Sequence, residues 1–255
     1  MNKKTLPLFA ALLCFAPDAS AEDLTNPFYM PLKGKGYAKT SFSYAHSKVE
    51  RKGLPFYAGS DTSDDSVFDQ SVYFGLTDRF ALLGGVGNIA ESSGDKDTLF
   101  GKIGGRYAFF FEHTPELLMQ TEISYGQKRG GDKQIDATLS VGYDAGATVL
   151  PYAELGVFTP LEQGKDNNES KYALRLGAYS VIKEQVGVRA GLDAYFDHEH
   201  GNYQSYSLFA EGEYVLSPSM TVSLTAGYLL HDTFKYDAGV RTSSFTIGAG
   251  FKAAF

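Results

Sequence analysis

The densest run of ligating side chains in this sequence is Asp197-His198-Glu199-His200. Two histidines at i and i+2 on an extended chain point the same way, and imidazoles suit zinc or copper. A third ligand is missing, so the expectation is a solvated loop and no metal. His231-Asp232 suggests acid–base chemistry, but adjacent residues on a strand point apart and do not readily share a hydrogen bond. A hydrolase site would have to gather His46, His231 and Asp197 from separate segments. Gly85-Val86-Gly87 has no helix after it, and Gly164-Lys165 lacks the Ser or Thr of a phosphate loop. Asn168-Glu169-Ser170 reads as a glycosylation acceptor only in a eukaryotic secretory route. No enzyme and no cofactor are expected.

A second set of charged residues is more regular. Lys102, Arg106, Glu122, Asp136, Glu154, Arg175, Arg189, Asp193, Glu211 and Glu213 all fall on one parity of alternating segments, with Lys39, Asp69 and Lys252 on the same kind of face. In QIDATLSVGY, residues 134–143, one face is Ile135, Ala137, Leu139, Val141 and Tyr143, and the other carries Gln134, Asp136, Thr138, Ser140 and Gly142. A period of two over ten residues is a β-strand with two unlike faces. Twelve such segments run at about 36–46, 66–76, 80–90, 98–110, 116–126, 134–144, 148–158, 171–182, 185–197, 203–216, 220–231 and 241–255. In the third, ALLGGVG is apolar on both sides and its inward face stays open. Short connectors such as 77–79, 112–115 and 217–219 alternate with long polar ones such as 47–65, 91–97 and 159–170. The repeating unit is therefore a hairpin, with all short turns on one side. Charge avoids the apolar faces, apart from Arg241 at a strand end.

The first residues read as an export signal: Lys3 and Lys4, an apolar run from Leu6 to Ala16, then Ala19-Ser20-Ala21. Cleavage after Ala21 is expected. Only Cys14, inside this signal, is a cysteine, so the mature chain would have no disulfide. The formal charge of −7 becomes −8 once two lysines and one aspartate leave with residues 1–21, which argues against nucleic acid. With 17 Tyr, 19 Phe and 28 Gly, and no long apolar run after the signal, the composition favours β structure. The domain reading is 1–21 signal peptide, 22–35 N-terminal segment on the periplasmic side, and 36–255 barrel. Pro27 and Pro31 bar a useful helix from the middle part. That part is expected to be an extended tail, with a segment tucked into the lumen as the alternative.

An apolar face on every strand, with the charges opposite, fits a sheet closed on itself in a bilayer, because open edges are not tolerated in hydrocarbon. The expected fold is all-β: a closed antiparallel transmembrane barrel of twelve strands, with ten or fourteen as alternatives. The last segment, FTIGAGFKAAF, would pair with the first near Ala38, Thr40, Phe42 and Tyr44. Tyr107, Phe109, Tyr143, Tyr214 and Phe255 would form one interfacial belt, and Tyr125, Tyr172, Phe196 and Tyr206 the other.

These strands, the GLTDRF turn at 75–80 and the terminal Phe255 resemble the bacterial outer-membrane β-barrel superfamily. Trp, usual in the belts of such proteins, is absent. The resemblance implies a place in the outer membrane of a Gram-negative bacterium. It also implies an assembly signal at Phe255, Phe251 and Gly248, read by the barrel assembly machinery, and contacts with outer-membrane lipid and lipopolysaccharide. The charged face then lines a lumen, in which Arg106 and Lys102 would neighbour Glu122, and Arg175 would lie between Glu154 and Asp193. The expected function is a narrow porin-like channel for small hydrophilic solutes. The alternatives are a non-conducting structural or surface-interaction barrel and, third, a hydrolase with a rim site.

Overall fold

The computed structural model describes residues 25–51, 59–91, 98–128, 133–146, 148–161, 170–182, 185–197, 203–233 and 240–255. The signal region 1–21, His198, Glu199, His200, Gly164-Lys165, Asn168-Glu169 and the side chain of Arg241 lie outside that set. Twelve strands follow one another: β1 (Gly36–Arg51), β2 (Gly59–Gly75), β3 (Phe80–Glu91), β4 (Thr98–Phe109), β5 (Leu117–Lys128), β6 (Lys133–Tyr143), β7 (Val149–Pro160), β8 (Lys171–Ile182), β9 (Val186–Asp197), β10 (Tyr203–Ser217), β11 (Met220–Thr233) and β12 (Val240–Ala254). Each pairs antiparallel with its chain neighbours, and β12 returns to β1 to close the barrel. At that seam Ala38 faces Ala253, Thr40 faces Phe251, Phe42 faces Ala249 and Tyr44 faces Ile247, the pairing the alternation requires.

The apolar set faces outward. Leu224 is 71% exposed and Ile103 66%. A sheath of bare aliphatic side chains this continuous belongs in hydrocarbon rather than water. Tyr107, Tyr143 and Tyr214 are exposed at the short-turn end, and Tyr125, Tyr172 and Tyr206 at the other, where Phe196 meets the Tyr206 ring edge-on at 6.3 Å. The open question about the third segment has an answer in packing. Leu82 and Val86 face out, while Leu83 turns inward and is buried with Tyr37, Tyr73 and Ala254.

The short turns are made by local chemistry. In the 76–79 turn, the Thr77 hydroxyl accepts from the backbone N–H of Arg79 (3.2 Å) and Phe80 (3.0 Å). In the next turn but one, Gly146 takes φ +70° and donates its N–H to Asp144 Oδ1 at 3.0 Å.

The structure departs from the sequence reading at the first connector. Residues 47–65 were expected to be mostly loop, yet the β1–β2 ladder continues to Arg51↔Gly59. The sequence of the extension is polar or small at both parities apart from Val49, so the two-residue contrast that marks the membrane part disappears. The strands β10, β11 and β12 are long as well, so the wall from β10 round to β2 rises above the rest. The β11–β12 ladder, by contrast, ends at Tyr228↔Phe245, although both strands run further.

Candidate functional site

Inside the barrel, the charged residues form three groups. On one wall the Arg106 guanidinium gives Nε (2.9 Å) and Nη2 (2.7 Å) to Glu122 Oε2, and donates to the hydroxyls of Tyr37 (3.1 Å) and Tyr73 (3.3 Å). It also lies 4.4 Å over the Tyr73 ring. Above it, Lys102 does not join Glu122. It reaches Asp69 on β2 at 2.9 Å, passing over β3. Gly85 clears that path: a Cβ there would lie 2.7 Å from the Lys102 Cε.

On the opposite wall Arg175 grips Asp193 through two bonds, Nε to Oδ1 at 2.7 Å and Nη2 to Oδ2 at 2.9 Å. Its Nη1 is 3.7 Å from Glu154, and its plane covers the Phe209 ring at 4.4 Å. The third group spans β9, β10 and β12: Arg189 bonds Glu211 at 2.7 Å and approaches Glu213 at 3.4 Å, and Lys252 bonds Glu213 at 2.6 Å. Asp136 accepts from Gln134 at 2.6 Å and has no cation within 4 Å among the described residues. The lumen charges named from the sequence, apart from Asp136, are thus brought together, with Lys102 in a different pair. Lys39 and Lys252, read from the sequence on the same face, join the lining, and so do the tyrosines 37, 73 and 152, which had not been singled out. Their position on the polar parity was the available signal.

The N-terminal segment occupies the tucked-in position. Its residues 25–35 cross the short-turn mouth as a strap. The hydroxyls of Thr25 and Tyr179 (β8) are hydrogen-bonded. Asn26 forms a turn by accepting the Phe28 N–H on its side chain at 2.9 Å and the Tyr29 N–H on its carbonyl at 3.1 Å. Gln120 donates to the Pro27 carbonyl at 3.0 Å. Phe28 packs with Leu150, Tyr152 and Tyr179 and fills the space above Gly142, where a Cβ would come within 2.6 Å of its ring. Tyr29 points the other way, onto Tyr37, Tyr73 and Leu83, with its ring 5.4 Å from that of Tyr37. In a ring of twelve, β7 stands opposite β1. Two adjacent residues at the end of the Asn26 turn therefore anchor one strap to facing walls. Beyond it, Gly34 donates to the Gly75 carbonyl at 2.8 Å, which ties the strap to the end of β2.

Above the strap lies a cavity of about 330 Å³, walled by Lys39, Arg106, Glu122, Glu154, Arg189 and Lys252 among others, and floored by Asn26, Pro27 and Tyr29. Toward the long loops, a second of about 400 Å³ shares Arg175 with it. Beneath the strap, a third of about 570 Å³ shares Asn26, Tyr29 and Gln120 with it and is mostly apolar, lined by Phe28, Phe109, Phe110 and Leu118. Arg189 Nε, Glu213 Oε2, Gln120 Oε1 and Tyr152 Oη are buried in this wall with no protein partner among the described residues.

The rim residues do not converge. His46 and Tyr44 both bond Asp64 Oδ1, at 2.7 and 2.6 Å, and His46 packs on Phe245, all on the outer face. Asp197 faces inward and pairs with Lys171 at 3.0 Å. His231 sits opposite Tyr206 on β11. These residues sit on β1, β9 and β11. Among the described residues no group of three or more His, Cys, Asp or Glu could hold a metal.

No protein-family model and no curated protein matches this sequence. Solved structures do resemble it. An outer membrane channel from Pseudomonas putida F1 superposes with a TM-score of 0.67 over 89% of this chain and 97% of that one, at 10% identity. The β domain of the Bordetella autotransporter BrkA gives 0.56 over 88% and 100%, at 14% identity. The NanC porin gives 0.50 over 81% and 98%, at 9% identity. The fold is that of the bacterial outer-membrane β-barrels, and the apolar belt gives it the surface of one.

Proposed function

We propose that the protein is a narrow, porin-like channel of the outer membrane that passes small hydrophilic solutes. The observation that carries this reading is the series of three cavities along the axis, the first and second having Arg175 as a common wall and the first and third having Asn26, Tyr29 and Gln120. Paired charges line the cavity above the strap and hold it polar, so a hydrated solute exchanges water for fixed donors and acceptors there. The strap narrows the periplasmic mouth. Similarity in fold to a channel and a porin supports the reading, while the autotransporter domain shares the same architecture.

The test is single-channel current across a planar bilayer, using the refolded chain from Glu22 onward. Resolved, stable steps are expected. Ion selectivity should change in Arg189→Ala, Arg175→Ala and Glu154→Ala, and unchanged selectivity in all three would refute a selective charged lumen. A folded but silent barrel would point to the second reading, a surface-interaction protein. The extended β1–β2 hairpin favours that reading. Removing residues 48–64 would then abolish the cellular phenotype and leave permeability intact. At Phe255, Phe251 and Gly248, the proposed assembly signal, Phe255 exchanges both backbone hydrogen bonds with Gly36 at 2.8 Å.

A further inference from the structure

Every lumenal cation described above has a carboxylate within 4 Å except Lys39. Among the described residues its ammonium has no ion pair and no hydrogen bond. Its register partner across the seam is another cation, Lys252. The nearby acids are committed elsewhere. Glu213, with a side chain only 2% exposed, is held by Lys252 and Arg189, and Glu211 by Arg189. The cavity beside Lys39 is lined by five cations (Lys39, Arg106, Arg175, Arg189 and Lys252) and three carboxylates (Glu122, Glu154 and Glu211). A confined ammonium surrounded by cations is held at a cost unless a counter-charge comes to it.

We propose that Lys39 marks a binding site for a small organic monocarboxylate inside the lumen. Among the described residues Lys39 is the one lining cation with no carboxylate within 4 Å, which suits a ligand with one negative charge. Counting Asp193 and Glu213, which hold Arg175 and Lys252, five carboxylates stand against the five cations, so a second negative charge on the ligand would go unmatched, which sets the class apart from phosphate and sulfate. Neutral groups complete the site. The Tyr37 hydroxyl accepts from Arg106 at 3.1 Å and so has its own proton to donate, and Thr138 lines the same cavity. The inference rests on the channel reading only in that the lumen must admit solutes.

The experiment uses the refolded chain from Glu22 onward and gluconate as the probe, in two measurements. In planar bilayers, gluconate should reduce the chloride current in a saturable manner. Lys39→Gln should weaken that block roughly tenfold, as expected for removing one charge near the ligand at intermediate dielectric, and should lower anion preference. Lys39→Arg should preserve both, and sulfate should block less well than gluconate. If the wild type conducts but Lys39→Gln changes neither block nor selectivity, the site is overturned and the channel stands. If the wild type is silent, the channel reading falls, and calorimetric titration of gluconate in detergent micelles decides the site. Binding that is lost in Lys39→Gln and kept in Lys39→Arg supports it, and no binding to the wild type overturns it.

Discussion

Truncating Phe28 to alanine isolates what the strap does. Its ring is partly buried, packed on Leu150, Tyr152 and Tyr179 and set edge-on to Tyr152 at 6.5 Å. Losing about half the transfer free energy of a Phe side chain removes roughly 1.5 kcal/mol from the docked state. The hydrogen bonds from Gln120 to Pro27 and between Thr25 and Tyr179 remain, as does the Tyr29 anchor. A loss of that size raises the ratio of detached to docked strap roughly tenfold. In single-channel records, the larger of two conductance levels should be visited about ten times as often in Phe28→Ala. Phe28→Leu, which keeps an apolar side chain in the same space, should fall between. Records indistinguishable from wild type, with the barrel correctly folded, would refute the idea that the strap limits passage.

Other substitutions test other parts of the wall. Gly142→Leu should expel Phe28 and reproduce the Phe28→Ala records, because the new side chain takes the ring's place. Arg106→Met leaves Glu122 largely buried with little but the Tyr73 hydroxyl, and should destabilise the folded barrel in urea titrations by about 3 kcal/mol. Ile103→Arg, on the lipid face, should cost about 2–4 kcal/mol in bilayer refolding equilibria. Removing Phe255 should cut outer-membrane yield in cells far more than refolding yield in vitro. Equal losses would make its role structural, through the Gly36 pairing, rather than that of a signal.

The barrel was legible because hydrocarbon outside and water inside impose a contrast at every second residue. From Tyr37 to Tyr44, and from Phe245 to Phe255, that contrast gave both the strands and their pairing. Where it lapses, the reading failed. The sequence GSDTSDD at 59–65 is strand in the structure, but small or polar residues fill both parities and no alternation survives. The strap has no period at all. Its position depends on Phe28 and Tyr29 meeting walls built from β6–β8 and β1–β3, which are remote in sequence. Matching charges between neighbouring strands found Arg106 with Glu122 and Arg175 with Glu154 and Asp193. It missed Lys102 with Asp69, because the bond skips a strand and depends on a side chain that Gly85 does not have.

The early end of the β11–β12 ladder fixes a waterline. Past Tyr228↔Phe245 the two strands are no longer paired among the described residues, and backbone groups without a strand partner are not tolerated in hydrocarbon, which places residues 229–233 and 240–244 outside it. His46 pairs with Phe245 on one side and with Asp64 on the other at the same height, and the rest of the polar hairpin lies beyond. Among the described residues, the tall arc of wall is therefore paired above this level as two separate ladders, β10–β11 and β12–β1–β2.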